Sequence, residues 1–204
     1  MFGFHRASEP AHAPGLILAG LGNPERRYEL TRHNAGFLFL SALSDRFGVP
    51  IKKKQFNALT GVWQVKDRVV LLMAPLTYMN LSGTALHAAM KEFGLVPRDI
   101  VVVHDDVDIA TGKVKFSYDR SSAGHKGIES IVGKLGTRAF YRIRIGIGRP
   151  DNQEETADYV LAEFDEHELD VLRSEFDRIM DGLLMFIDGE RQKAVESVNR
   201  ITAA

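Results

Sequence analysis

The feature that most constrains this 204-residue chain is its alternation of short, apolar, β-branched runs with helical patterns. "GLILAGL", "RVVLLMAP" and "DIVVVHDD" lack the every-other-residue polarity of half-exposed strands. They predict strands covered on both faces, as in a sheet flanked by helices. "LTGVWQV" meets "RVVLLMAP" across "KDR", which predicts a hairpin. "YRIRIGIGRP" does alternate, with Ile143, Ile145 and Ile147 on one side and Arg142 and Arg144 on the other. It predicts a half-exposed strand whose outer face is basic at one end.

Helical patterns lie between these runs. "NAGFLFLSALSDRFG" sets Phe37, Leu40, Leu43 and Phe47 on one stripe, stopped by Gly48 and Pro50. "NLSGTALHAAMKEFG" does the same with Leu86, Met90 and Phe93 before Gly94. "KGIESIVGKLG" is a shorter helix, and a long apolar stripe runs Leu169, Leu172, Phe176, Ile179, Leu183, Phe186. The fold class expected is α/β: a single domain with a twisted, mixed but mainly parallel β-sheet flanked by helices. Residues 15–204 form that domain, and residues 1–14 read as a flexible N-terminal extension. Sites in such sheets gather at the C-terminal ends of strands. The turn at 20–24, the segment Thr77–Asn80 and "HDDVD" all follow strands and should converge there.

Zero cysteines exclude disulfides, thiol catalysis and cysteine metal sites. No apolar run reaches a membrane span, and the first residues are too polar for a secretory signal. The expectation is a cytoplasmic monomer without a membrane partner. The net charge of −1 conceals an asymmetry. From Lys113 to Arg149 there are nine Lys/Arg against Asp119 and Glu129; from Pro150 to Glu190, fourteen Asp/Glu oppose Arg173 and Arg178. One face therefore suits a polyanion, although solvated charged faces are the commoner cause of such runs.

"GLGNP" resembles the start of a nucleotide loop, but Glu25 stands where the dinucleotide fingerprint needs its third glycine, and Pro24 removes an amide donor. What remains is a tight turn presenting Asn23. Ten residues on, His33 stands at a helix entrance, and its ordinary pKa of about 6.5 suits a general base. Asn34 can cap that helix. Asp105 can orient His33 by accepting a hydrogen bond from one ring nitrogen, leaving the other to take a proton from water. The rival reading is a Mg²⁺ site at Asp106 and Asp108, since carboxylates suit that ion. His104, after three valines, fits the core. Asn80 can serve as an N-cap, with Tyr78 and Met79 forming an apolar, stacking wall over a substrate. "SSAGHKGIES" opens a helix with His125 and Lys126 between glycines, a plausible phosphate site. No nucleophile stands out. His, Asp and two Asn point to activated water, with the Asn amides holding the electrophile and its oxyanion.

With "GLGNP", "Y…TRHNAG", "MNLSG", "HDDVD", "GHKG" and "RIRIGIGRP" in order from about Gly15 to near Arg200, the chain resembles the bacterial peptidyl-tRNA hydrolase family. The resemblance implies a phosphorylase/hydrolase-like mixed sheet and hydrolysis of the ester joining a peptide to the 3′ end of tRNA. It implies catalytic roles for His33, Asp105 and Asn23, with His33 as base and Asn23 reading the peptide side. Tyr28, Tyr78 and Asn80 would contact the tRNA end or the peptide, and Lys113, Lys115 and Arg144 would meet tRNA phosphates. No cofactor or metal is implied. One residue departs: Lys126 stands where the family typically carries Asn after the histidine of "GHKG". Lysine only donates and carries a charge. That departure keeps open a second reading, an RNA-binding protein without turnover, as in the family's chloroplast intron-splicing relative. The polar stretch 151–166 reads as a possible lid.

Overall fold

The computed structural model describes residues 13–149 and 156–200. The N-terminal extension expected over 1–14 lies almost wholly outside the described residues, as do positions 151–155 of the lid stretch. Seven strands form one sheet: β1 (Leu16–Gly20), β2 (Lys53–Gln55), β3 (Ala58–Val65), β4 (Arg68–Pro75), β5 (Ile100–Asp106), β6 (Val114–Tyr118) and β7 (Tyr141–Gly146). Their order is β2-β3-β4-β1-β5-β7-β6. The four central strands β4, β1, β5 and β7 run parallel. The β3–β4 hairpin is antiparallel as predicted, and β6 pairs antiparallel with β7.

Among the described residues the α-helices are α1 (Ala35–Phe47), α2 (Ser82–Glu92), α3 (Lys126–Leu135), α4 (Thr156–Leu161), α5 (Glu166–Ile187) and α6 (Arg191–Asn199). Alternate residues of each central strand feed opposite cores, because successive strand side chains point to opposite faces. Leu16, Leu18, Val101 and Val103 pack with α1, α5 and α6. Ile17, Ala19, Ile100 and Val102 pack with α2 and α3. Both faces are covered, which explains why these strands read as unbroken apolar runs.

Three expectations shift. The α1 stripe centres on Phe39, Leu40 and Leu43, while Phe37 and Phe47 are half-buried. Strand β7 is not half-exposed: it lies between β5 and β6, and Arg142 on its expected outer face is buried. Its Nη1 donates to the Ser121 carbonyl at 2.8 Å, and its guanidinium lies 4.4 Å from the Phe140 ring centre. Burial, with Arg144 nearby, lowers its pKa to about 10.

The third shift concerns "GLGNP". Neither Gly20 nor Gly22 has a positive φ, so the glycines do not serve a left-handed turn. They serve close packing. A Cβ on Gly20 would lie 2.2 Å from the Gly36 carbonyl oxygen, and one on Gly36 would lie 2.3 Å from the Leu21 amide nitrogen. The start of α1 therefore rests on the end of β1, backbone against backbone, and this seats Asn34 against Asn23. Because the obstructing atoms are main chain, Gly36→Ala should destabilise the fold by about 3 kcal/mol, the upper part of the usual overpacking range. Urea unfolding checks this; an unchanged midpoint would show that the close approach is dispensable.

Candidate active site

The site is built where β1, β4 and β5 end. Asp105, at the end of β5, is buried. His33 reaches it from a 3₁₀ turn, Arg32–Asn34, that leads into α1. His33 Nδ1 lies 3.0 Å from both Asp105 carboxylate oxygens. His125 Nε2 lies 3.0 Å from Asp105 Oδ1.

The hydrogen-bond pattern fixes the protons. His125 is the N-cap of α3, and its Nδ1 accepts from the amides of Gly127 at 3.1 Å and Ile128 at 3.3 Å. A ring nitrogen that accepts carries no hydrogen, so the hydrogen of this neutral imidazole sits on Nε2 and is donated to Asp105. His33 donates its Nδ1–H to the same carboxylate, and its Nε2 lone pair is left for chemistry. His104 donates from Nδ1 to the Asp105 carbonyl at 2.6 Å, the core role expected of it. Burial, reinforced by His125, keeps it neutral well below its ordinary pKa.

Burial alone would raise the pKa of Asp105, but His33 and His125 outweigh it and hold the carboxyl far below its usual range. For His33, burial disfavours the cation, yet Asp105 favours it more, and its pKa is raised above 6.5. His33, Asp105 and His125 also bring potential metal-ligand atoms within 4.8 Å of one another. The donor set does not fit a cation, because His125 Nε2 holds the hydrogen that the two α3 amides force onto it. Asp106 and Asp108 fit Mg²⁺ no better. Asp106 Oδ2 accepts from Arg144 Nε at 2.7 Å and its Oδ1 from the Asp108 amide at 2.9 Å, while Asp108 pairs with Arg149.

Asn23 is clamped from two sides. Its amide donates to Asn34 Oδ1 at 2.8 Å, and Asn34 Nδ2 returns a bond to its carbonyl at 3.0 Å. The Met79 amide donates to Asn23 Oδ1 at 3.1 Å. With the oxygen engaged by Met79, the donors of the Asn23 side chain are its Nδ2 hydrogens. Asn34 thus holds Asn23 rather than capping α1 with its side chain. Sequence reasoning missed this; the signal was the shared need of two asparagines eleven residues apart for partners in a buried turn.

A pocket of about 500 Å³ opens beside His33 and Asp105, with His125, Lys126 and the apolar side chains Val160 and Leu161 of α4 among its walls. This protonation pattern at a strand-end pocket is the arrangement expected of a water-activating hydrolase, and the peptidyl-tRNA hydrolase family model matches residues 17–204. The chain belongs to the peptidyl-tRNA hydrolase family. It is 43% identical to peptidyl-tRNA hydrolase of Bacillus subtilis over 163 residues, covering 80% of this chain and 87% of that one. Against the Caldicellulosiruptor saccharolyticus peptidyl-tRNA hydrolase it is 39% identical over 183 residues, 90% and 96% of the two chains. The crystal structure of peptidyl-tRNA hydrolase from Acinetobacter baumannii matches at 30% identity with a TM-score of 0.88, covering 96% of this chain and all of that one.

The other residues that the family resemblance brought forward divide by position. Tyr78 is exposed, and hydrogen bonding to the Glu25 carboxylate raises its phenol pKa. Glu25, the residue that broke the nucleotide fingerprint, so ties Tyr78 to the turn. Tyr28 is half-buried beneath the Arg27 guanidinium, 4.7 Å from its ring centre. Met79 does not share the expected wall: it is buried, and a Cβ on Gly127 would lie 2.6 Å from its sulfur. Asn80 is exposed in a 3₁₀ turn and is not the N-cap of α2, a position held by Leu81.

The phosphate site expected at His125 and Lys126 is corrected. The amides of Gly127 and Ile128 are spent on the His125 ring, so α3 offers no open cradle there. Lys126 is exposed at the pocket mouth with its Nζ 3.3 Å from Glu129 Oε2. Lys115 faces Arg144 across the β6–β7 ladder, and Lys113 precedes it; both lysines are exposed. Among the described residues no helix is long and apolar enough to cross a membrane.

Proposed function

We propose that this chain hydrolyses the ester between a peptide and the 3′ end of tRNA using a water activated by His33. The observation that carries the reading is the free Nε2 of His33, left unprotonated because Nδ1–H is committed to Asp105. Water bound at Nε2 loses a proton to it and attacks the ester carbonyl carbon. The tetrahedral intermediate then collapses, the carbon–oxygen bond to the ribose breaks, and the imidazolium returns its proton to the leaving 3′ oxygen. Asp105 stabilises the imidazolium without taking its proton. Asn23 Nδ2 donates to a carbonyl of the acyl part, and Tyr78, Tyr28 and Asn80 line the approach of the tRNA end or the peptide. Met79 acts through its backbone, fixing Asn23. His125 acts on Asp105 rather than on substrate. Lys113, Lys115 and Arg144 meet tRNA phosphates, in the cytoplasm, with one chain supplying the whole site.

The test is peptide release from N-acetylaminoacyl-tRNA, with free aminoacyl-tRNA as the control substrate. Release from the first and sparing of the second support the reading. Tight tRNA binding without release would favour the RNA-binding alternative instead.

Lys126 gives a separate prediction. Its ammonium is exposed and pairs with Glu129, an i,i+3 surface pair worth well under about 1 kcal/mol. Substrate phosphate can therefore recruit it at little cost. Lys126→Asn should raise KM a few-fold and flatten its dependence on salt, with kcat retained. A collapse of kcat would place Lys126 in the bond-breaking step.

A further inference from the structure

The residue before the base has a side chain that the mechanism leaves unused. Arg32 and His33 share one 3₁₀ turn, yet their side chains leave it toward different partners. His33 goes to Asp105. Arg32 goes to the α4–α5 junction, where Nη1 donates to the Glu163 carbonyl at 2.8 Å and Nη2 to Glu168 Oε2 at 2.6 Å. The Arg32 and Glu168 side chains are only 12% and 15% exposed, so this pair is shielded more than an ordinary surface bridge. The guanidinium also lies 4.5 Å from the Tyr159 ring centre of α4 and 5.5 Å from that of Phe164.

The backbone follows the same route. The Arg32 amide donates to the Ala162 carbonyl at 3.0 Å, the Phe164 amide donates to the Leu30 carbonyl at 3.0 Å, and Thr31 bridges Glu163. Glu168 is also the return half of the α5 capping box, accepting from the Asp165 amide at 3.0 Å. One guanidinium thus joins the end of α4, the start of α5 and the turn that bears the base. Helix α4 carries Ala157, Val160 and Leu161, the apolar wall of the His33 pocket. A six-residue helix has too few turns to hold itself in place. Its position is set by what grips it.

We propose that Arg32 is a positioning residue that fixes α4 as the pocket's apolar wall, at a set distance from His33, for the acyl end of the substrate. The proposal rests on the esterase reading above. Arg32 touches neither the water nor Asp105, so its loss should act on binding rather than on proton transfer. Lysine cannot replace it, because a single ammonium cannot grip the Glu163 carbonyl and the Glu168 carboxylate while stacking on Tyr159.

The experiment compares wild type, Arg32→Met, Arg32→Lys and Glu168→Gln in peptidyl-tRNA cleavage across pH. Arg46→Met is the control, since Arg46 bridges α1 to α5, at Asp177 and Asp181, away from α4. The expected result is KM raised about tenfold in both Arg32 variants and less in Glu168→Gln, which keeps an acceptor. kcat should stay within about threefold, with the acidic limb of the pH profile unmoved. Amide exchange over residues 157–164 should quicken in the Arg32 variants alone. An unchanged KM in Arg32→Lys, or an equal rise in Arg46→Met, would overturn the proposal. Should Arg32→Met fail to fold, Arg32→Lys and Glu168→Gln still decide it. Wild type that released no peptide would instead defeat the esterase reading itself.

Discussion

His33→Ala should lower kcat for peptidyl-tRNA cleavage by about 10²–10⁴-fold, the range spanned by a single general base, while tRNA binding stays within a few-fold of wild type. The separation follows from position. The His33 ring lines the pocket, whereas the proposed phosphate contacts fall to other side chains, Lys113, Lys115, Lys126 and Arg144. Some activity should survive, since the Asn23 amide and the pocket still orient the ester and solvent water can enter the space left by the ring. Nitrogen bases of small size, imidazole above all, should restore part of the rate in this variant. Cleavage within a few-fold of wild type would mean that His33 is not the base.

Asp105→Asn should be nearly as severe, for a reason specific to this network. Two imidazole N–H groups point at one carboxylate, and both are satisfied because a carboxylate only accepts. The His125 tautomer is locked by the Gly127 and Ile128 amides, so in the variant it claims the single amide oxygen of the new side chain. The Nδ2 group then occupies the Oδ2 position, 3.0 Å from His33 Nδ1. It donates there, which drives the His33 hydrogen to Nε2 and removes the lone pair that water needs. The same exchange in a serine-protease triad costs about 10⁴ in kcat through the wrong tautomer, and a loss of about 10³-fold or more is expected here. Asp105 is also what raises the His33 pKa over the opposing effect of burial. Without its charge, the acidic limb of the remaining activity should move to lower pH. A limb that stays in place would show that Asp105 does not govern His33.

The sheet and its two faces were legible because the central strands are covered on both sides and so repeat Val, Ile and Leu without interruption. The contact between His33 and Asp105 was legible too, as a histidine at a helix entrance and an aspartate at a strand end. What the chain order concealed was which group each polar atom would meet. His125 looks like part of a glycine-rich anion loop, yet its ring folds back to cap α3 and to brace Asp105. Arg142 alternates as an outward residue should, but β6 pairs beyond it and the Ser121 carbonyl draws it inward. Arg32 and Glu168 are 136 positions apart and join only because α4 returns to the turn before α1. Such pairings depend on tertiary approach, which local periodicity does not encode.

The central claim is that the His33 imidazole is the base, and its own titration tests it most directly. The ¹⁵N resonances of His33, followed against pH in the folded protein, should show hydrogen on Nδ1 and a bare Nε2 in the neutral ring, above its midpoint. The midpoint should lie above 6.5 and coincide with the acidic limb of kcat/KM for peptidyl-tRNA. A His33 midpoint separated from that kinetic limb, or a neutral ring protonated at Nε2, would contradict the account.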